Sequence, residues 1–594
     1  MKKIFLTLCL ALFSIVLQAA KAHSLPFIVT QPDGTRLSVR LMGDEDCHWY
    51  ATVDGVLLSK QNDAYYLALV DEQGNLRPSK VLAHDAGLRQ SEENILINKQ
   101  NKQRFYQQAE QTRLKNMMKR EPVLVDKTFF PCTGSPKALV VLVNFSDTTF
   151  AVSDPKKTFE QYLNGEGKPE DYGNQENRNY GSVRQYFKDM SNGMFTPQFD
   201  LYGPVNLPHP MKYYGATEDM LSLLNDACRL LDETVDFSQY DANGDGMVDL
   251  VYVIYAGYSA SVGDNSSDAI WPKSGLVNGN TFDGVKIGRY GVNNELNGTP
   301  TSYKTAPFKR VNGIGLFCHE FSHCMGLPDF YPTSKDAQVD NQGMEFWSIM
   351  DGGEYLDNGH TPTAYTAWER EAMGWLTVET LTEDVPNLQL IPIDNGGKAY
   401  RVKNDADVSE KEYFMIENIQ KVGWNSKQKG TGMIVYHVDY DPYAFSLWPN
   451  GNNTVNNRKG APRMAIVPAD GLSMAQGSAS GAKEYYDQLA GDPFPGTANV
   501  TELNDESQIV NFSTYTDDPL NKAFMNITSS EGIITLKFIN DFKGYVAGID
   551  TPVKDTMIDG ESSVYTLDGR YIGNHAASLP KGIYLQGNRK VVVR

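Results

Sequence analysis

The sequence predicts an α+β protein of several domains, on three observations. Ala138–Phe145 (A-L-V-V-L-V-N-F) is an unbroken apolar run of strand length. Residues 23–86 and 385–540 alternate apolar and polar positions between clusters of turn residues, as strands do. Between these β-rich regions, Ile314–Cys324 and Thr363–Trp375 carry helical periodicity. At 594 residues the chain exceeds what one hydrophobic core supports, so three or more domains are expected.

The chain opens with Lys2 and Lys3, an apolar run from Ile4 to Leu17, and Ala20-Lys21-Ala22 before His23. That order reads as an export leader over 1–22, because the run is too short to span a bilayer. No later stretch approaches 18 apolar residues, so no transmembrane segment is expected in the mature form. Export implies an oxidising or extracellular location. Removal of Cys9 with the leader strands an odd set, Cys47, Cys132, Cys228, Cys318 and Cys324, of which at least one stays a thiol. A formal charge of −19 argues against nucleic acid as a partner.

Phe27-Ile-Val, the turn Gln31-Pro-Asp-Gly and Arg36–Arg40 predict a small β-rich N-terminal domain. Residues 88–121 are polar, with Leu96, Phe105, Leu114 and Met118 at loosely helical spacing. They end in Lys119-Arg-Glu-Pro, which is either a cleavage zone or the end of a solvated spacer helix. The run at Ala138 opens a central domain over 126–384, and Ser182–Met190 is a helix stopped by Asn192-Gly193. A β-rich domain is expected over 385–543, with 449–460 as a long Asn/Gly loop, then a linker over 544–562 and a compact strand set over 563–594.

The chemistry concentrates in I314-G-L-F-C-H-E-F-S-H-C-M-G-L-P-D329. His319 and His323, at i and i+4, project from one helix face and can chelate one zinc ion. Gly326 and Pro328 end the helix, so the chain turns back and Asp329 is the first residue able to supply a third ligand. Asp329 could instead cap the turn, leaving His360 or His437 as third ligand. Three protein ligands leave zinc a fourth position for water, whose pKa falls towards ~7. Glu320, next to the first histidine, is placed to act as general base. Cys318 and Cys324, six residues apart on the same helix, are too distant to bridge and read as small buried residues.

A second metal candidate is Asp241-Ala-Asn243-Gly-Asp245-Gly-Met247-Val-Asp249, with oxygen side chains at positions 1, 3, 5 and 9 and glycine at 6. Tyr252 stands where an EF-hand carries its glutamate, and a strand follows, so the expectation is a calcium loop feeding a strand. Met247 would contribute its carbonyl, and Asp236 is an additional candidate ligand. An ion-free hairpin is the plain alternative.

His319-Glu-Phe-Ser-His323-Cys-Met-Gly326-Leu-Pro-Asp329 resembles the zinc signature (HExxHxxGxxD) of the immune inhibitor A family of secreted bacterial metallopeptidases, relatives of the metzincins. The resemblance implies a zincin-like catalytic domain, zinc on His319, His323 and Asp329, Glu320 as base, and Met350 of W347-S-I-M-D-G-G as a hydrophobic floor. It extends to a propeptide over 23–125, which would keep a precursor latent. Cys47 is a candidate latency thiol there, or simply a half-buried structural residue. Tyr355 and His360 follow the Met350 turn and are candidates for steadying an oxyanion. The last stretch, from Ser563 to Arg594, is similar to the tails that address proteins to the type IX secretion machinery of some Gram-negative bacteria; a small stabilising β-domain is the other reading. Protein or peptide substrates are what the resemblance implies. The contrasting readings are a surface adhesin with structural zinc and calcium sites, and a zinc hydrolase of small molecules.

Overall fold

A computed structural model describes residues 18–19, 26–43, 47–61, 64–118, 129–167, 176–262, 268–299, 309–334, 337, 343–405, 407, 411–447, 451–473, 482–515, 519–545, 564–567, 570–573, 579–586 and 589–593. The apolar leader core, the Lys119-Arg-Glu-Pro segment and all of the expected 544–562 linker after residue 545 lie outside them. The protein is α+β. Among the described residues no helix is long and apolar enough to cross a membrane.

The central domain is built on the predicted apolar run, which forms the strand Lys137–Asn144. It pairs in parallel with Gln198–Asn206 on one side and Val251–Tyr255 on the other. Arg289–Asn294 follows in parallel, and Lys273–Leu276 adds an antiparallel strand, Ser274 opposite Gly291. The two-residue strand Gln18–Ala19 pairs with that edge. Because strand side chains alternate, Ala138, Val140 and Leu142 face one core with Phe317 and Phe321 of the helix Ile314–Cys324. Leu139, Val141 and Val143 face another core with Leu223, Leu224 and Ala227. A continuous apolar strand is what burial on both faces requires.

Ser182 caps Val183–Met190 by accepting the Gln185 N–H, as its sequence suggests. The helix expected over Thr363–Trp375 forms only over Ala367–Ala372. A capping box explains the late start: the Thr366 side chain accepts the Glu369 N–H, and Glu369 reaches back to the Thr366 N–H. Thr363 is held outside the helix by its hydroxyl on Asn425.

The N-terminal region is a six-stranded antiparallel sheet from Phe27 to Leu82, followed by helices Ser91–Ile97 and Lys102–Met118. Beyond the central domain, Glu412–Ile419, Gly432–Asp439 and Met464–Ile466 belong to one sheet, and Val385–Leu390, Ala523–Ser530 and Ile533–Ile539 to another. Met415, Ile434, Tyr436 and Met464 share the core that holds Phe317 and Met350, so this region and the motif helix belong to one continuous core. The C-terminal strands Val564–Thr566, Tyr571–Gly573, Gly582–Gln586 and Arg589–Val593 form a separate four-stranded antiparallel sheet.

Candidate metal centre

The motif helix Ile314–Cys324 is buried along its whole length. Its first turn lies against the turns at 352–359 at glycine distance: a Cβ on Gly315 would sit 2.0 Å from the Glu354 carbonyl oxygen. At its other end Gly326 takes φ +111°, a region that favours glycine, and the chain turns back as the sequence suggests.

That reversal brings Asp329 to the two histidines. The Nε2 atoms of His319 and His323 are 3.1 Å apart, and Asp329 Oδ1 lies 3.3 and 3.1 Å from them. Among the described residues this is the one group of histidine, cysteine and carboxylate side chains gathered closely enough to hold a metal ion. Ligands about 2.0–2.1 Å from a tetrahedral centre lie about 3.3 Å from one another, so the spacing suits zinc. The proton inventory agrees. His319 Nδ1 faces the Ile349 carbonyl at 2.8 Å, and His323 Nδ1 faces the Leu327 carbonyl at 2.7 Å. With Nδ1–H donating in each ring, both Nε2 atoms present lone pairs to each other and to a carboxylate oxygen. In that tautomer three electron-rich atoms converge, an arrangement that calls for a cation, either a metal ion or a proton on His319.

The surrounding charge points the same way. Burial opposes a charge on His319, but the carboxylates of Glu354, Asp329 and Glu320 outweigh it and push the imidazole up to about 10. Burial also works against the Asp329 carboxylate, yet the His323 and His319 rings hold it well below the usual range. Glu320 is fully buried one residue along the helix from His319, and neither oxygen has a hydrogen-bond partner among the described residues. Burial drives its carboxyl well above the usual range, His319 works against that, and Glu354 and Asp329 add to it; the Ser274 hydroxyl is beside it. Such a group is suited to taking and returning a proton.

The other candidates fall elsewhere. His360 Nδ1 is 3.2 Å from Asn179 Oδ1, and His437 Nε2 is 2.9 Å from Glu412 Oε1, so neither joins the group. The Tyr355 hydroxyl has Ser261 and Glu354 beside it and feels the Glu320 carboxylate. Met350 is buried in the core behind the helix, its N–H on Ser348 Oγ at 3.0 Å and its carbonyl on the Phe330 N–H at 2.8 Å. Cys47 packs with Trp49 and Phe105 inside the N-terminal domain, away from the histidines. All five cysteines expected after leader removal are unbridged.

The 241–249 loop precedes the strand Val251–Tyr255 as expected. Asp241 accepts the N–H groups of Asp245 and Gly246, Asn243 that of Asp245, Asp245 that of Met247, and Asp249 that of Ala242. Its carboxylates thus serve the loop's own amides. Glu354, Ser274 and Asn453, all beside the centre, are residues that motif reading passes over.

Residues 132–376 match the description Immune inhibitor A peptidase M6, catalytic domain. The chain is similar to immune inhibitor A of Bacillus thuringiensis subsp. alesti, 25% identical over 278 residues, covering 40% of this chain and 39% of that protein. It is also similar to the pre-pro-metalloprotease PrtV of Vibrio cholerae serotype O1 (strain M66-2), 24% identical over 272 residues, covering 40% of this chain and 29% of that one. The likeness therefore spans well under half of each of these relatives. At this modest identity the matches support the immune inhibitor A family and a metallopeptidase, and a peptidase catalytic domain is present.

Proposed function

We propose that the chain is the precursor of an exported zinc endopeptidase that hydrolyses peptide bonds of proteins. The observation that carries this reading is the triangle of His319 Nε2, His323 Nε2 and Asp329 Oδ1 with the unpartnered carboxyl of Glu320 on the same helix. Zinc held by these three side chains would supply Lewis acidity and a water nucleophilic at neutral pH. Glu320, buried beside His319, would accept a proton from an attacking water and return it to the leaving amine as the C–N bond breaks. Carbonyls of Ile349 and Leu327 hold both imidazoles with Nε2 turned towards Asp329 Oδ1, the orientation in which the three would hold zinc. Replacing Glu320 with Ala should leave zinc bound and abolish cleavage of a denatured protein. Unchanged cleavage would falsify the mechanism, and turnover of small amides but never of proteins would reassign the substrate.

Latency by the N-terminal domain belongs to this reading. Leu41 of that domain is buried against Ala260, Ala269 and Trp271, and the His48 ring lies 4.9 Å from the Trp271 ring. Trp271 stands three residues before Ser274, the neighbour of Glu320, so the domain covers a segment that leads into the centre. The Vibrio relative's name, pre-pro-metalloprotease, agrees with a leader and a propeptide.

Calcium is proposed for Asp241, Asn243, Asp245, Met247 and Asp249, whose carboxylates would draw together on the ion from their present places on the loop's own amides. Burial, with Asp241 and Asp245 adding to it, pushes Asp249 up to about 6, a crowding that a cation would relieve. Titration calorimetry showing no calcium heat would exclude it. The C-terminal sheet is proposed as an export address; deleting 563–594 should retain the protein in the cell without unfolding the rest.

A further inference from the structure

We infer that Asn453, a residue of the domain that follows the peptidase match, is a positioning residue for the metal ligand Asp329. The inference rests on the zinc reading above and adds to it a determinant outside the 132–376 segment. The contact is reciprocal. Asn453 Oδ1 accepts the backbone N–H of Asp329 at 2.7 Å, and Asn453 Nδ2 donates to Asp329 Oδ2 at 2.5 Å. With Oδ2 and the main chain both held, the remaining oxygen, Oδ1, is the one that meets the two imidazoles. Asn453 thus sets which carboxylate oxygen faces the two imidazoles. Such outer partners tune metal sites by fixing ligand orientation before the ion arrives.

The residue type follows from the geometry. Only a side-chain amide offers an acceptor and a donor side by side for this pairing. An aspartate would set carboxylate against carboxylate. Asn453 also sits at φ +50°, where asparagine is among the few residues tolerated besides glycine.

The loop carrying it is fastened to the chain beyond Asp329 at two further points. Asn456 Nδ2 donates to the Phe330 and Met464 carbonyls, both at 2.6 Å, while Asn456 Oδ1 accepts the Met464 N–H at 2.9 Å. Asn457 accepts the Ser334 N–H at 2.7 Å and donates to Thr333 Oγ1 at 2.8 Å. These contacts dock the loop, but Asn453 alone of the three asparagines touches the ligand. That division of labour makes the role testable.

Zinc affinity would be measured on the full-length chain by competition with a chromophoric chelator, for the parent, Asn453→Gly and Asn457→Ala. Glycine tolerates the backbone of position 453, so the loop keeps its path while the amide is lost. Asn453→Gly should weaken zinc binding 10–100-fold, whereas Asn457→Ala should stay within about threefold of the parent and lower the metal-free melting temperature at least as much. Asn453→Asp, which keeps the acceptor and tolerates the backbone but replaces the donor with a carboxylate, serves if the glycine variant does not fold, with at least tenfold weakening expected. The cobalt(II) absorption spectrum should change in the position-453 variants and not in Asn457→Ala, since it reads the ligand field. Parent-like affinity in folded position-453 variants, or equal weakening in Asn457→Ala, overturns the inference. A parent chain that binds no zinc overturns the zinc reading itself.

Discussion

His319 Nδ1 lies 2.8 Å from the carbonyl oxygen of Ile349, so the turn after the motif helix fixes which nitrogen faces the metal centre. That turn has its own anchor. Ser348 Oγ donates to Glu369 Oε1 at 2.5 Å and accepts the Met350 N–H at 3.0 Å, and Glu369 is the residue that caps the helix Ala367–Ala372. Ser348→Ala strips a buried N–H and a buried carboxylate of one partner each. It should cost about 1–3 kcal/mol by urea unfolding and speed zinc loss to a chelator.

Metal removal should destabilise the whole protein. The three converging lone pairs have no mutual partner without a cation, and a ligand present at about 100 times its Kd adds about 2.7 kcal/mol. Dialysis against a chelator should lower the melting temperature, and added zinc should restore it. A melting curve indifferent to zinc would count against a tight site.

The N-terminal domain should be released by a single charge. Leu41→Asp places a carboxylate in the fully buried contact with Ala260, Ala269 and Trp271. The uncleaved variant should hydrolyse a fluorogenic peptide faster than the uncleaved parent.

Cys47→Ser should leave latency unchanged. The thiol packs with Trp49 and Phe105 and is absent from the group that meets the metal site. Activation of the uncleaved serine variant would restore the thiol as a zinc-blocking device.

Glu417 predicts a pH dependence. It is buried and accepts the Ala367 N–H at 2.9 Å and the Tyr436 O–H at 3.0 Å. Burial dominates these bonds and pushes its carboxyl up to about 7. The folded state then holds a proton that the unfolded chain releases near 4.5. This contribution is full below about pH 4.5, falls as pH rises, and is gone above about 7, a span of about 3 kcal/mol. Glu417→Gln should flatten the stability profile between those limits in urea titrations.

How much of this was legible in the sequence divides by distance along the chain. His319, Glu320 and His323 are visible because helical spacing is local, and Asp329 because Gly326 and Pro328 force a nearby reversal. The central strand shows because burial on both faces leaves Ala138–Val143 without polar residues. The helix at Ala367 starts later than periodicity predicts, because Thr366 and Glu369, visible in the sequence, form a capping box there. Glu354, Ser274 and Asn453 could not be found by pattern. Each reaches the centre through tertiary packing, and an asparagine in a polar loop resembles any other.

Asp329 and Asn453 are separated by 124 positions. A contact so distant cannot form until the later domain has been synthesised and folded back, and loop closure of that length is slow. The proposed metal centre would therefore be completed only after most of the polypeptide has emerged. A half-made chain in transit would carry the histidine motif but hold its ion loosely, a safeguard for the cell that makes it.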